Sequence, residues 1–199
     1  MKKLVRSTLS QVKKVYMEMA LMFRKPTYTG KVFCIGYNKT GTTTIGKSLE
    51  MLGYRNSSFN KKVWRKYYKK NQIDKVLKYT ARFDSFDDLP WLKEDMIPIL
   101  DREFPNSKFI YLTRDEESWQ QSLRNWKLKT TGAHPDLAIE LEAFRKHKAF
   151  VLDYFKDRSA DDFIILDVRD KKGFKKLAEF LGQETEREAF PHFNETKAI

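Results

Sequence analysis

The chain has 199 residues, of which 41% are hydrophobic and 14% aromatic, so it can bury a core and is not an intrinsically disordered chain. Its net charge of +12 predicts an anionic partner: a nucleic acid, a membrane surface, a polyanionic glycan or a charged nucleotide. The single cysteine, Cys34, excludes an internal disulfide framework and is typical of a reducing compartment. No stretch is apolar over a length that spans a bilayer, so we expect a cytoplasmic protein.

The N-terminal segment is predicted to be a basic amphipathic helix. Within residues 2–25, apolar side chains recur at three- and four-residue steps, with Lys and Arg between them. We therefore assign residues 1–29 to this element and residues 30–199 to a single α/β domain. Packing of the helix on that domain is the simpler interpretation, and peripheral contact with an anionic membrane is the alternative.

Strands and helices alternate along the rest of the chain. Short apolar runs between turn residues predict strands at 31–36, 79–85, 108–113 and 163–168. Helical periodicity predicts helices at 42–52, 61–78, 92–104, 116–126, 136–156 and 174–181. This alternation predicts a three-layer, P-loop-like α/β fold in which helices flank a mostly parallel central sheet.

The loop between the first predicted strand and the first predicted helix carries the clearest motif. Gly36 and Gly41 have the glycine spacing of a phosphate-binding P-loop. Thr42 stands where a triphosphate-binding loop carries its lysine, and the lysine lies inside the loop as Lys39. Backbone N–H groups and the helix N-terminus still form an anion site. The motif predicts phosphate binding and disfavours a P-loop kinase, which we keep as the alternative enzyme.

The segment from Lys39 to Thr43 resembles the 5′-phosphosulfate loop of sulfotransferases that use 3′-phosphoadenylyl sulfate. The resemblance implies that Lys39 contacts the 5′-phosphate and the bridging oxygen, while loop amides and Thr hydroxyls hold the phosphate. The residues expected to bind the donor in this loop are Asn38, Lys39, Thr40, Gly41, Thr42, Thr43 and Thr44. Cytosolic members often carry an adenine-stacking aromatic residue at the position of Thr44, so here Trp119, Trp126 or Phe193 is expected to supply that ring.

A second motif supports the same resemblance. The family contacts the 3′-phosphate of the donor with an Arg at the end of a strand and a Ser eight residues later. Arg114 follows the predicted strand 108–113, and Ser122 has that spacing. Ser118 is the alternative if the turn into the helix is shorter.

The catalytic base is expected among three aspartates. In cytosolic sulfotransferases a catalytic His precedes a Leu-Pro pair, and Asp88 occupies the equivalent position directly before Leu89-Pro90. Asp84 is nearly as well placed, Asp87 is third, and His192 is a further candidate. The simpler interpretation is that these acids cap the helix that follows.

The resemblance implies transfer of a sulfuryl group from 3′-phosphoadenylyl sulfate to a hydroxyl of a carbohydrate or small molecule, with adenosine 3′,5′-bisphosphate as product and no metal. The basic stretch 61–70, interleaved with aromatic residues, makes an anionic glycan one candidate acceptor. Nucleic acid is not expected as a partner. The non-enzymatic alternative is a basic module that binds nucleic acid or a membrane.

Overall fold

The structure is a computed structural model that describes residues 28–191. The predicted helix 2–25 and the candidates His192 and Phe193 lie outside the described residues. None of the helices within 28–191 has the length and apolar character needed to cross a membrane.

A parallel sheet of five strands forms the centre of the molecule. Its order is β2-β3-β1-β4-β5, and its members are β1 (Val32–Cys34), β2 (Asn56–Ser57), β3 (Ser85–Phe86), β4 (Lys108–Leu112) and β5 (Phe163–Leu166). Strand β1 is central, with Phe33 opposite Phe86 on one side and Phe109 on the other. The carboxyl ends of β1, β3 and β4 therefore meet at one edge of the sheet, where parallel α/β proteins place their ligands.

Helices cover both faces of the sheet, which confirms the predicted three-layer architecture. They are α1 (Thr42–Met51), α2 (Ile73–Thr80), α3 (Ile97–Glu103), α4 (Glu116–Thr131), α5 (Leu137–Tyr154) and α6 (Gly173–Phe180). One buried cluster joins Leu49 of α1 and Leu177 of α6 to the sheet, and the other joins Leu100 of α3 and Val151 of α5 to its opposite face. Such continuous apolar burial is the main stabilising contribution to this kind of fold.

The region between β1 and β4 differs from the prediction. The strand expected at 79–85 is wrong, because α2 extends to Thr80 and β3 is formed by Ser85–Phe86. The basic stretch predicted as one helix is divided into a π-helical turn (Val63–Tyr67), a 3₁₀ turn (Tyr68–Lys70) and α2. Asn71, which has a left-handed conformation, lies between the 3₁₀ turn and α2. Strand β2 was not predicted, because two residues are too few to show a strand period.

Candidate functional site

The loop from β1 to α1 depends on its two glycines. A Cβ atom on Gly36 would lie 2.5 Å from Cβ of Leu112, so only glycine allows β1 and β4 to approach this closely here. Gly41 has φ 110 and lies against Val168, where a Cβ atom would be 2.6 Å from a side-chain methyl group. Lys39 also has a left-handed backbone, with φ 64. These conformations bend the chain into a compact loop at the carboxyl edge of β1.

The N-terminus of α1 presents donors to this loop. The first intrahelical bond runs from the N–H group of Ile45 to the carbonyl of Gly41, at 3.1 Å. The preceding N–H groups, those of Thr42, Thr43 and Thr44, have no partner within the helix, and no side chain in the described part of the chain caps them. Together with the positive end of the helix dipole, they can hold a phosphate group.

Two polar side chains of the loop have different environments. The hydroxyl group of Thr40 donates to the carbonyl of Tyr37 at 2.6 Å, so this side chain holds the shape of the loop. The side-chain oxygen of Asn38 is buried and has no hydrogen-bond partner within residues 28–191. An unpaired buried oxygen is costly, and a ligand that donates a hydrogen bond at this point of the loop would satisfy it.

Trp119 of α4 supports the loop through a hydrogen bond to its backbone. It is fully buried, stacks on Phe144 at a centroid distance of 4.5 Å and donates through its ring nitrogen to the backbone carbonyl of Asn38 at 2.8 Å. Its ring is therefore not accessible for stacking on adenine. Trp126, by contrast, is 40% exposed and lies beside the loop.

His147 of α5 is a second support that the sequence analysis missed. It is fully buried, and its Nε2 donates to the carbonyl of Ile35 at 2.7 Å, one residue before the loop. Its Nδ1 lies 3.0 Å from Oε1 of Glu94. Burial alone would raise the pKa of Glu94, but its hydrogen bonds, including the one with His147, hold it below the ordinary value. The available signal was a histidine in the apolar stripe formed with Phe144 and Val151.

Lys39 is the central cation of the site. Its Nζ lies 4.8 Å from the ring centroid of Trp126, which is a favourable cation–π distance. Burial lowers the pKa of Lys39, the charge of Asp88 opposes this change, and the charge of Arg114 adds to it. The lysine is thus electrostatically coupled to both the predicted base and the predicted 3′-phosphate arginine.

Asp88 follows β3 at the same edge of the sheet. Because Phe86 pairs with Phe33, the chain after β3 runs beside the start of the phosphate loop. Asp88 has φ 74, and its carboxyl group accepts a hydrogen bond from the N–H group of Leu89 at 2.6 Å. Burial raises the pKa of Asp88, while this hydrogen bond and the charge of Lys39 oppose the rise. A partly buried carboxylate whose pKa is raised by burial is suited to accept a proton.

Asp87 has a structural environment instead. It is 1% exposed, and its two carboxyl oxygens accept hydrogen bonds from Asn56 at 2.7 Å and Ser58 at 3.0 Å. Burial raises the pKa of Asp87 to about 6, although these hydrogen bonds oppose the shift. Its carboxyl group links β2 and the residue after it to the end of β3.

Asp84, the other predicted base, is not in the site. It precedes β3, its carboxyl group accepts from the backbone N–H of Arg55 at 3.0 Å, and its carbonyl accepts from Val32. In a parallel sheet this is the amino edge, opposite to the phosphate loop. The predicted strand, 79–85, included Asp84 near its carboxyl end, whereas β3 begins at Ser85, so Asp84 precedes the strand.

Arg114 lies within the site, two residues after β4. Its Nη1 donates to the backbone carbonyl of Lys39 at 2.9 Å, and its Nε donates to the hydroxyl of Ser118 at 2.9 Å. Ser118 is therefore the serine that contacts the arginine in this structure. Ser122 follows one helical turn later on the same face of α4, and its predicted role stays a prediction.

Arg169, after β5, is a further cation that the sequence analysis missed. Its Nη1 lies 2.6 Å from Oδ2 of Asp115 and 3.1 Å from the hydroxyl of Ser118, and it also pairs with Asp167. The charge of Arg169 contributes, after burial, to lowering the pKa of Arg114. Both guanidinium groups donate to the Ser118 hydroxyl, which itself donates to Oδ2 of Asp115 at 2.7 Å. Asp115 and Asp167 pair with Arg169, whereas none of the ion pairs found within residues 28–191 involves Arg114, which is the guanidinium suited to bind an anion.

Within residues 28–191 we find no group of three or more His, Cys, Asp or Glu side chains arranged to hold a metal ion.

Comparisons with known proteins identify the family and the fold of this chain. A family model described as a sulfotransferase domain matches residues 31–140 and 126–199. A search of curated proteins gave no match. A gluconokinase from Sinorhizobium meliloti 1021 superposes with a TM-score of 0.51 and 14% identity, covering 78% of this chain and 93% of that one. A sulfotransferase domain from the curacin biosynthetic pathway superposes with a TM-score of 0.53 and 15% identity, covering 80% and 76%. At such identities the two structures show a shared P-loop-like fold.

Proposed function

The chain belongs to the sulfotransferase domain family, and on that premise we propose that it transfers a sulfuryl group from 3′-phosphoadenylyl sulfate to a hydroxyl group. Sulfuryl transfer in general follows from the family. The nucleotide donor and the individual residue roles are the parts that we propose from the site.

The observation that carries the proposal is the hydrogen bond from Arg114 to the carbonyl of Lys39. It joins two groups at one edge of the sheet that we propose bind anions: the loop with the N-terminus of α1, and Arg114 with Ser118. A nucleotide with phosphates on both its 5′ and 3′ positions has two anionic groups to match. A simple triphosphate has one contiguous group, which the first site alone would accommodate.

In the proposed reaction, the loop amides and the Thr42 and Thr43 hydroxyls bind the 5′-phosphate, and Arg114 with Ser118 binds the 3′-phosphate. Asp88 accepts the proton of the acceptor hydroxyl as its oxygen forms a bond to sulfur. The bond from sulfur to the phosphate oxygen breaks, and its electron pair remains on the phosphate. Lys39 balances that negative charge, which is the usual role of a preorganised cation at a leaving group.

The proposal is tested by titrating the protein with adenosine 3′,5′-bisphosphate in a calorimeter, with a chelator present. We expect saturable binding, and a loss of at least about tenfold in affinity for Lys39→Ala and for Arg114→Ala, since each removes a charge-assisted contact. Ser118→Ala and Ser122→Ala, measured separately, identify the serine that contributes to the 3′-phosphate site.

Arg102→Ala is the matched control, because Arg102 is an exposed arginine of α3 that pairs with Glu103. It should bind the nucleotide like the unmodified protein. No binding of the bisphosphate, or equal losses in Arg114→Ala and Arg102→Ala, would contradict the proposal. Tighter binding of ATP with Mg²⁺ than of the bisphosphate would favour the kinase alternative.

A further inference from the structure

A strongly basic surface lies in the segment between β2 and α2 and has no part in the proposed donor site. We define the basic surface as the six exposed cations Lys61, Lys62, Arg65, Lys66, Lys69 and Lys70, together with the aromatic residues Trp64, Tyr67 and Tyr68 between them. The ion pairs found among residues 28–191 involve none of these cations. Many lysines and arginines elsewhere in the molecule have a carboxylate partner, so this surface holds uncompensated positive charge.

Aromatic contacts position two of these six cations, Lys62 and Lys69. Trp64 and Tyr68 stack at a centroid distance of 4.9 Å, and Nζ of Lys69 lies 5.2 Å from the Trp64 ring. Nζ of Lys62 lies 5.7 Å from the ring of Tyr67. Cations that lie over half-buried rings lose less conformational freedom on binding an anion than lysines that extend freely into water.

The basic surface is attached to the segment that carries the proposed base. The hydroxyl of Tyr68 donates to Oδ1 of Asp95 at 2.7 Å, and Val63 belongs to the same buried cluster as Trp91 and Met96. These partners lie in the segment that begins directly after Asp88. Val63 shares that cluster with Ile35 as well, the residue directly before the phosphate loop. The basic surface is therefore packed against the elements that carry the loop and Asp88.

We propose that the basic surface binds the acceptor, and that the acceptor is an acidic carbohydrate chain. This inference rests on the proposed sulfuryl transfer, because the acceptor must offer a hydroxyl group to Asp88. Every sugar unit of an acidic carbohydrate chain carries free hydroxyl groups, and many of its units also carry a negative charge. A DNA duplex carries the charge but has free hydroxyls only at its ends.

The test uses the full chain and a polygalacturonate fragment of about ten units as the probe. The variant is K66Q/K69Q/K70Q, and the control is K146Q/K148Q/K175Q, which removes the same charge from exposed lysines outside the basic surface. We expect the first variant to lose at least about tenfold in affinity for the probe and the control to change by less than about threefold, because local contacts outweigh the general field at physiological salt.

Equal losses in the two variants, or no binding of polygalacturonate by the unmodified protein, would overturn the proposal. It would also be overturned if a DNA duplex or vesicles containing anionic lipid bound more tightly and lost binding in the first variant. Affinity for adenosine 3′,5′-bisphosphate is measured in parallel and should be the same in all three proteins. Failure of that measurement in the unmodified protein refutes the donor, whereas failure with the carbohydrate alone refutes only the acceptor class.

Discussion

Gly46 of α1 lies directly against the carboxyl group of Asp87: a Cβ atom at Gly46 would be 2.7 Å from Oδ1 of Asp87 and 2.8 Å from Nδ2 of Asn56. Helix α1, whose N-terminus forms the proposed anion site, thus packs against the hydrogen-bonded pair of Asp87 and Asn56, which links β2 and β3. This contact connects the position of the phosphate loop with the position of Asp88, the next residue along the chain.

Replacing Gly46 by Ala tests this contact. In an ordinary helix interior the change stabilises a protein by about 0.5–1 kcal/mol. Here we expect a loss of about 1–3 kcal/mol in the free energy of unfolding, because the methyl group overlaps Asp87 and Asn56. Urea unfolding measures the effect, and Lys47→Ala on the exposed face of α1 is the control. A stabilised Gly46→Ala variant would contradict the close approach.

The buried carboxyl group of Asp87 predicts a pH-dependent stability. Its pKa of about 6 in the folded protein is above the ordinary value of 3.8, so the folded state binds more protons between these values. The contribution of Asp87 to the free energy of unfolding therefore falls as the pH rises from 4 to 6, by roughly 3 kcal/mol in total. Asp87→Asn should lack this component. Urea unfolding of both proteins between pH 4 and pH 7.5 gives the difference, and parallel curves would refute the assignment.

His147→Ala should weaken both the fold and the nucleotide site. The change leaves the carbonyl of Ile35 without its buried donor and removes the partner of Glu94. We expect the free energy of unfolding to fall by about 1–3 kcal/mol. We also expect lower affinity for adenosine 3′,5′-bisphosphate at temperatures where the variant remains folded, because the phosphate loop begins at Gly36, directly after Ile35. Exposed His134 provides the control, His134→Ala, which should change neither quantity.

Asp88→Asn should abolish most sulfuryl transfer while leaving nucleotide affinity within a few fold. Loss of a general base typically lowers the rate by about 10²–10⁴-fold. Asp84→Asn is the matched control, since Asp84 lies at the opposite edge of the sheet, and it should retain activity. Because burial raises the pKa of Asp88, activity should decline on acidification at a pH above that expected for an exposed aspartate. Equal activity of Asp88→Asn and the unmodified protein would exclude this residue as the base.

Much of the fold could be predicted from local patterns. The apolar runs at β1, β4 and β5 and the amphipathic helices between them indicate a parallel α/β sheet, because both signals extend over several consecutive residues. The glycine spacing around Lys39 predicted the compact loop between β1 and α1 for a similar reason. A backbone that must bend sharply and approach another strand constrains residue type at fixed positions.

Other features depend on the register of the strands. The sequence placed three aspartates within five residues, and only the pairing of β3 with β1 puts Asp84 at one edge and Asp87 and Asp88 at the other. The contact of Arg169 with the hydroxyl of Ser118 joins two residues that are 51 positions apart in the chain. Spacing along a chain does not encode such distances.

The phosphate loop and the alternation of strands and helices were thus determined by the sequence itself, through backbone sterics and hydrophobic periodicity. The tertiary structure decided which side chains accompany that loop. It brought Asp88 to the same edge of the sheet as Lys39, used Trp119 and His147 as supports and joined Arg114 to the loop carbonyl. The physical reason is that charge coupling and buried hydrogen bonds act over a few ångströms in space, and the folded sheet alone fixes which residues come that close.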